Sequence, residues 1–445
     1  MVSDNAKYVV VRFLCQTCKV IHYKTLLQRK LIINILSKRP VYASRPRPLP
    51  VSRKNRKLEA YLNTDRTMDR RTFFKYSAGA VLSTSMLGRT SELFAKEGGE
   101  KYNVVILGDT HYDAADPEKY HAGYTDPNPT REANHRKEFV RNGKMWAERC
   151  PALVKRAACL VDEDTRFVLQ MGDLVQGDTA TAEIHKRFLD DAMNIFKRDL
   201  APDLPFVTVA GNHDLRGNDD AVIAQAYEEY MTARLSQELG REITGTNFLF
   251  NMGDDAYIVL NFTRPDLATI ENLFQKADGA RHTFVVVHSP VFPYDSASYW
   301  WWILFGNRQD SKAEERRAVR RLMASRNAVV LCGHTHKTEL LNWYGDGGQI
   351  TQMTMSSVWA KEEQGTYIEK VDTTEGYGSL MVKSKPELGE PGVARNLFDE
   401  YRPGLLRYSW ADAAGSYKLF VGDTDIHVDF YAGDSARRSR RFQLR

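Results

Sequence analysis

The chain has 445 residues, 42% hydrophobic and 27% charged, which suits a globular protein, and no stretch approaches the roughly 18–20 apolar residues that span a bilayer. Its net charge of +5 is unevenly spread: residues 1–67 hold 15 Lys/Arg against 3 Asp/Glu, residues 68–95 hold 4 against 2, and the remaining 350 hold 43 against 52. The body is therefore acidic, which argues against a nucleic-acid binder, because phosphate backbones reward clustered positive charge on the folded domain.

Residues 1–67 read as a basic extension, disordered or not translated, with Arg-Pro-Arg-Pro-Leu-Pro at 45–50 and a basic run at 53–57. An Arg-rich organelle transit peptide is the rival reading. Cys15-Gln-Thr-Cys18 has redox or zinc spacing, but a single CxxC without a second pair is a weak signal, and five cysteines are too few for a disulfide scaffold. From Met68 the chain runs Met-Asp-Arg-Arg-Thr-Phe-Phe-Lys, then a mildly apolar stretch at 76–88 and Leu93-Phe94-Ala95. A charged start, an apolar middle and a small-residue exit describe an export signal over residues 68–95. Arg70-Arg71 with Phe73, Phe74 and Lys75 resembles a twin-arginine signal, although Asp69 stands where that pattern usually has Ser or Thr. This reading implies bacterial export machinery as a partner and a periplasmic or otherwise extracytoplasmic location.

Residues 96–345 alternate apolar runs with helical stretches. Strands are expected at 104–107, 167–169, 206–209, 257–260, 284–287 and 329–331, and helices near 135–162, 182–199, 220–239, 266–278 and 311–325. Runs apolar on both faces, alternating with helices, imply sheets covered by helices. Cys332 reads as a small packing residue. The segment 112–134 is a candidate lid, in which His121 and the adjoining His135 carry no assignment and, as isolated histidines, read as surface residues. Helical periodicity fades after 345. Residues 346–434 read as extra strands at 378–383, 405–410, 417–421 and 426–431, the last two forming a hairpin about Gly422-Asp423, and 435–445 as a solvated basic tail.

The residues just past the apolar runs carry the chemistry. The runs end in Gly108-Asp109-Thr110-His111, Gly172-Asp173, Gly211-Asn212-His213-Asp214, His288-Ser289-Pro290 and Gly333-His334-Thr335-His336. Ligands bind beyond the carboxyl ends of strands in open α/β sheets, so side chains more than two hundred residues apart can converge. Glycine before four of the clusters permits a tight turn and a close approach. Carboxylate, imidazole and amide oxygen together suit Mn, Fe, Zn or Co. In an extended segment Asp109 and His111, or His334 and His336, point to one side.

This ordered set, D-x-H, G-D, G-N-H-[DE], H and G-H-x-H, resembles the calcineurin-like metallophosphoesterase superfamily over residues 102–337. The resemblance implies an α/β fold, a two-sheet β-sandwich core flanked by helices in four layers, with extra C-terminal strands. It implies two divalent or trivalent metal ions, the first held by Asp109, His111 and His336, the second by Asn212, His288 and His334, with Asp173 bridging. It further implies that His213 is catalytic and that Asp214 orients its ring. The expected reaction is hydrolysis of a small phosphate mono- or diester by a hydroxide bridging the metals. A nucleotidase, a cyclic-nucleotide phosphodiesterase and a non-catalytic metal-binding protein are the alternatives. Gln176 stands where many relatives carry Asp or Asn and purple acid phosphatases a Tyr ligand, and with His111 it argues against the purple acid subgroup. Ser289 replaces the second His of the His-His-Pro common in cyclic-nucleotide enzymes. The aromatic run 294–305 is read as packing or as a surface that stacks on substrate.

Overall fold

The computed structural model describes residues 101–264, 266–293, 313–359, 367–379 and 398–445. The leader readings at 1–67 and 68–95, the aromatic run 294–305 and residues 380–383 lie outside the described residues.

Two mixed sheets face each other. In the six-stranded sheet the order is β14-β13-β12-β1-β2-β3. Parallel β1 (Tyr102–Leu107), β2 (Thr165–Gln170) and β3 (Phe206–Thr208) are joined through antiparallel β12 (Gly415–Val421), β13 (Ile426–Ala432) and β14 (Arg440–Gln443). The eight-stranded sheet runs β10-β11-β8-β9-β7-β6-β5-β4. Its parallel centre is β5 (Asp255–Leu260), β6 (Thr283–Val287), β7 (Val329–Cys332) and β9 (Gly348–Thr354). Antiparallel β4 (Phe248–Met252) flanks one side, and β8 (Thr338–Gly345), β11 (Leu405–Ala411) and β10 (Glu369–Val371) flank the other.

The period of two sorts the core. Tyr257, Val259, Phe284, Val286, Val329 and Leu331 share one apolar cluster with β1, β2 and β12, between the sheets. Their neighbours Ile258, Leu260, Val285, Val287, Val330 and Cys332 belong to a second cluster, under the outer helices. On the far side of the six-stranded sheet lie α1 (Glu118–His121), α2 (Pro129–Glu148), α3 (Cys150–Ala158), α4 (Ala182–Asp199) and α5 (Asp220–Leu239). The helices α6 (Leu267–Lys276) and α7 (Ala313–Ser325) cover the eight-stranded sheet. This is the four-layer arrangement expected.

Helix ends follow side-chain chemistry. Asn128 caps α2, Thr181 caps α4 and Asp219 caps α5, each accepting from first-turn amides, and left-handed Gly240 closes α5. The single helix expected near 135–162 is two, because Pro151 lacks the N–H and the fit to continue one helix past Arg149. The extra C-terminal strands divide between both sheets. The tail expected to be solvated contributes edge strand β14, where Arg438 and Arg441 pair with buried Asp429 at 3.1 and 2.6 Å. Among the described residues no helix is long and apolar enough to cross a membrane.

Candidate metal centre

All five clusters sit just past the carboxyl ends of parallel strands, three from one sheet (β1, β2, β3) and two from the other (β6, β7). The seven expected ligands therefore meet where the two sheets open at one edge. Asp109, Asp173 and His288 are almost wholly buried, His111 and Asn212 nearly so, and the side chain of His336 is 43% exposed, making it the rim of the pit.

The segments are not extended, as spacing alone would have them. Four of the seven non-glycine residues with positive φ among the described residues are candidate ligands: His111 (40°), Asp173 (50°), His334 (73°) and His336 (53°). Left-handed backbone at such residues is uncommon and costly, and it concentrates at functional sites. Here it re-aims each side chain into the pit instead of along a strand.

Around Asp173 the close approach demands glycine. Gly172 has φ 86°, and a Cβ on Gly211 would lie 2.0 Å from the Asp173 amide nitrogen and 2.2 Å from its Oδ1. The backbone is held by a buried polar net. Gln170 receives the Gly172 amide on Oε1 (3.0 Å) and donates Nε2 to Gly172 O (2.7 Å) and Gly108 O (3.2 Å). The amides of Thr110 and His111 both donate to Asp173 O. Trp146 Nε1 donates to the carbonyls of Thr110 and His111, and Ser357 Oγ to Asp109 O.

Three groups of donors converge, each with its atoms within 4.8 Å of one another: Asp109, His111 and His336; His111, Asp173 and His213; Asp173, His288 and His334. His111 Nε2 and His336 Nε2 lie 3.0 Å apart, and His336 Nε2 lies 3.0 Å from Asp109 Oδ2. Asp173 Oδ2 lies 3.3 Å from His288 Nε2 and 3.8 Å from His111 Nε2, and Asn212 Oδ1 lies 3.3 Å from His288 Nε2. The second imidazole nitrogen of His288 donates to Met171 O at 2.6 Å, which fixes the tautomer with Nε2 aimed inward. Such convergent lone pairs and carboxylate oxygens fit a cation.

The electrostatics agree. Burial pulls the His111 imidazole down to about 4 and that of His334 to about 3, so both are neutral donors at neutral pH. Burial acts on His288 in the same sense, but the carboxylates of Asp173 and Asp109 outweigh it and push His288 up to about 9. Burial opposes ionisation of Asp173 and Asp109, yet the adjacent imidazoles hold both below the usual carboxylate range. A site that holds a positive charge on His288 between two anionic carboxylates is one built for cations.

Two expectations need correction. Asp214 does not touch the His213 ring. Its carboxylate accepts the amides of Val175 (3.0 Å) and Gly211 (2.9 Å), and burial raises it to about 7. The His213 ring instead donates Nδ1–H to Gln176 O at 2.8 Å, with Arg216 Nη2 3.1 Å from the same nitrogen, and its amide donates to Asp173 Oδ1 at 2.8 Å. His121 is not a surface residue: it is 1% exposed, stacked on Phe139 and paired with Asp113 at 3.1 Å. Gln170 and Arg216 escape sequence reasoning because neither stands out by spacing, although a Gln closing an apolar run is a visible oddity. Gln176 serves through its backbone carbonyl, which any residue type would supply.

Residues 102–338 match the family model described as calcineurin-like phosphoesterase. No curated protein matches the chain. Among solved structures it is similar to purple acid phosphatase PPD1 from seeds of yellow lupin (Lupinus luteus), at 13% identity and TM-score 0.44, over 78% of this chain and 54% of that one. It is similar to PhoD at 10% identity and TM-score 0.44, over 78% and 69%, and to GAP50, the anchor in the inner membrane complex of Plasmodium, at 12% and 0.38, over 77% and 88%. The chain thus spans about half the length of the lupin phosphatase.

Proposed function

The chain belongs to the calcineurin-like phosphoesterase family, and from that premise we propose that it hydrolyses small phosphate mono- or diesters at this pit with two bound metal ions. The observation that carries the reading is the place of Asp173 between the two sets, its Oδ2 3.8 Å from His111 Nε2 of one and 3.3 Å from His288 Nε2 of the other, as a shared carboxylate requires. In this reading Asp109, His111 and His336 hold one cation, Asn212, His288 and His334 the other, and Asp173 both. Mn, Fe, Zn or Co suit these donors. Two such ions supply Lewis acidity, bringing water toward a pKa of about 7 and neutralising charge on the phosphoryl oxygens.

The chain's own residues supply placement and proton handling. The hydrogen bond from His288 to Met171 O holds one tautomer, and the left-handed backbone of His111, His334 and His336 fixes the imidazoles before any ligand arrives. His213 Nδ1–H is committed to Gln176 O, so Nε2 is the atom that would give its proton to the leaving oxygen, the ring passing from imidazolium to its neutral Nδ1–H form, a contribution typically worth about 10²–10⁴ in rate. The export signal read at 68–95 supports a periplasmic or otherwise extracytoplasmic setting.

Elemental analysis of purified protein, with turnover on an aryl monoester, an aryl diester, a 5′-nucleotide and a cyclic nucleotide, tests the reading. About two metal equivalents and chelator-sensitive hydrolysis are expected. Preference for a nucleotide would redirect it to a nucleotidase or cyclic phosphodiesterase, and full metal without turnover would leave a binding protein. N-terminal sequencing of secreted material tests the leader.

A further inference from the structure

The turn after the β2 cluster and the segment after the β3 cluster are zipped together beside His213. Asp178 N donates to Arg216 O, Asn218 N donates to Thr179 O, and Thr179 bridges Gly217. The turn is tightly built: Gly177 (φ 74°) and Asp178 (φ 54°) are both left-handed, and a Cβ on Gly177 would lie 1.9 Å from His213 O. Within it Asp178, fully buried, takes two parallel bonds from Arg216, Nε to Oδ1 at 2.6 Å and Nη2 to Oδ2 at 2.5 Å. Such a fork fixes the guanidinium plane. That plane presents Nη2 to His213 Nδ1 at 3.1 Å.

The segment read as a lid fastens this device from outside. His121, itself gripped by Asp113, brings Nδ1 to Asp178 O at 3.1 Å. His135 Nδ1 lies 3.6 Å from Asp178 Oδ1 and 2.8 Å from Tyr124 OH. Asn218 accepts the Thr125 amide and donates to Gly123 O. We propose that Arg216, locked by Asp178 and strapped by residues 121–125 and His135, is the positioning residue for His213, the part that Asp214 does not play. The physical need is plain. A single bond from Nδ1 to Gln176 O leaves the ring free to swing about it, and the guanidinium bounds that swing. A charged side chain with 22% exposure, held by a fork to buried Asp178 and set with Nη2 against the ring edge of His213, is a costly packing element but an effective brace.

The inference rests on His213 acting in ester hydrolysis, and its test keeps the two separable. Arg216→Ala should lower kcat about 10²-fold, as expected for a misplaced catalytic group, with KM within about twofold and metal content unchanged. Millimolar guanidinium should restore the variant at least about tenfold, and should not restore His213→Ala. Asp178→Asn, which keeps shape, should give a smaller loss of the same kind and covers the case in which Arg216→Ala folds poorly. Metal lost together with turnover, a KM rise at constant kcat, or no loss at all would each overturn the proposal. If the wild-type protein hydrolyses no ester, the functional reading fails, and the brace is then read from imidazole ¹⁵N resonances. One sharp set of His213 ring resonances in wild type that broadens or doubles in Arg216→Ala, as the ring swings about its bond to Gln176 O, supports it, and equally sharp single resonances in the variant overturn it.

Discussion

On the two-cation reading, a proton must leave before a cation can settle at His288. In the metal-free pit His288 is pushed up to about 9, against its burial, by Asp173 at 3.3 Å and by Asp109. At pH 7.5 it is therefore almost fully protonated, whereas His111 at about 4 and His334 at about 3 are already neutral. Imidazole ligates only through a lone pair, so binding there expels about one proton from His288. Each pH unit below 9 weakens apparent affinity tenfold, about 1.4 kcal/mol, or roughly 100-fold by pH 7. Isothermal titration of Mn²⁺ into chelator-stripped protein, in buffers of different ionisation heat, counts the protons released. The count for wild type minus that for His288→Asn, which keeps a neutral oxygen donor, should be about one at pH 7.5 and near zero above pH 10. The sign carries over to stability. A raised folded pKa stabilises the metal-free fold fully below pH 6.5, and that contribution is lost as pH rises through 9. Equal counts in the two proteins at pH 7.5 would refute the assignment of charge to His288.

Other residues separate the roles. Asp173→Asn, whose left-handed backbone asparagine tolerates, should fold yet bind metal roughly 10²-fold more weakly or worse by elemental analysis, while His213→Ala keeps its metal and loses about 10²–10⁴ in kcat. Gly211→Ala should strip the metal and cost about 1–3 kcal/mol in urea unfolding, because its Cβ meets the Asp173 backbone at 2.0 Å. His185, fully buried between Thr179 Oγ1 (3.2 Å) and Asp214 O (2.8 Å), is pulled down to about 4 by burial. Its depressed pKa leaves stability intact above pH 6.5 and removes about 3 kcal/mol as pH falls from 6.5 to 4, a slope that His185→Gln should flatten in denaturant titrations.

The fold and the clusters of candidate donors are largely legible in the sequence because both rest on short-range rules. Apolar runs such as Phe284–Val287 are strands whichever sheet they join, and a ligand cluster at a strand's end is local to that strand. Where sequence and structure part, the deciding term is tertiary. Strand β4 carries polar Asn251 on its exposed face and does not stand out as an apolar run. Strand β8 ends where helical periodicity fades and β9 lies beyond it, and neither is among the expected strands, although Gly345-Asp346-Gly347-Gly348 has the two-residue turn signature, with Asp346 at φ 53° and Gly347 at 85°. The partner of His213 cannot be read from the Asp that comes after it. Asp214 is taken by the amides of Val175 and Gly211, and that competition exists only once β2 and β3 lie side by side.

The same competition explains why the centre needs so much fold around it. Left-handed backbone at His111, Asp173, His334 and His336 costs about 1–3 kcal/mol each, and nothing local repays it. What holds those conformations is over-determination from both sheets: Asp173 O fixed by two amides of the β1 loop, His334 N donating to Asp109, His288 Nδ1 donating to Met171 O across the sheets. With the His213 amide donating to Asp173 Oδ1, these bonds tie all five clusters together, so no single loop can relax without breaking one made by another. A pit assembled this way is formed before its cations arrive, and the binding energy of the metal need not be used to build it.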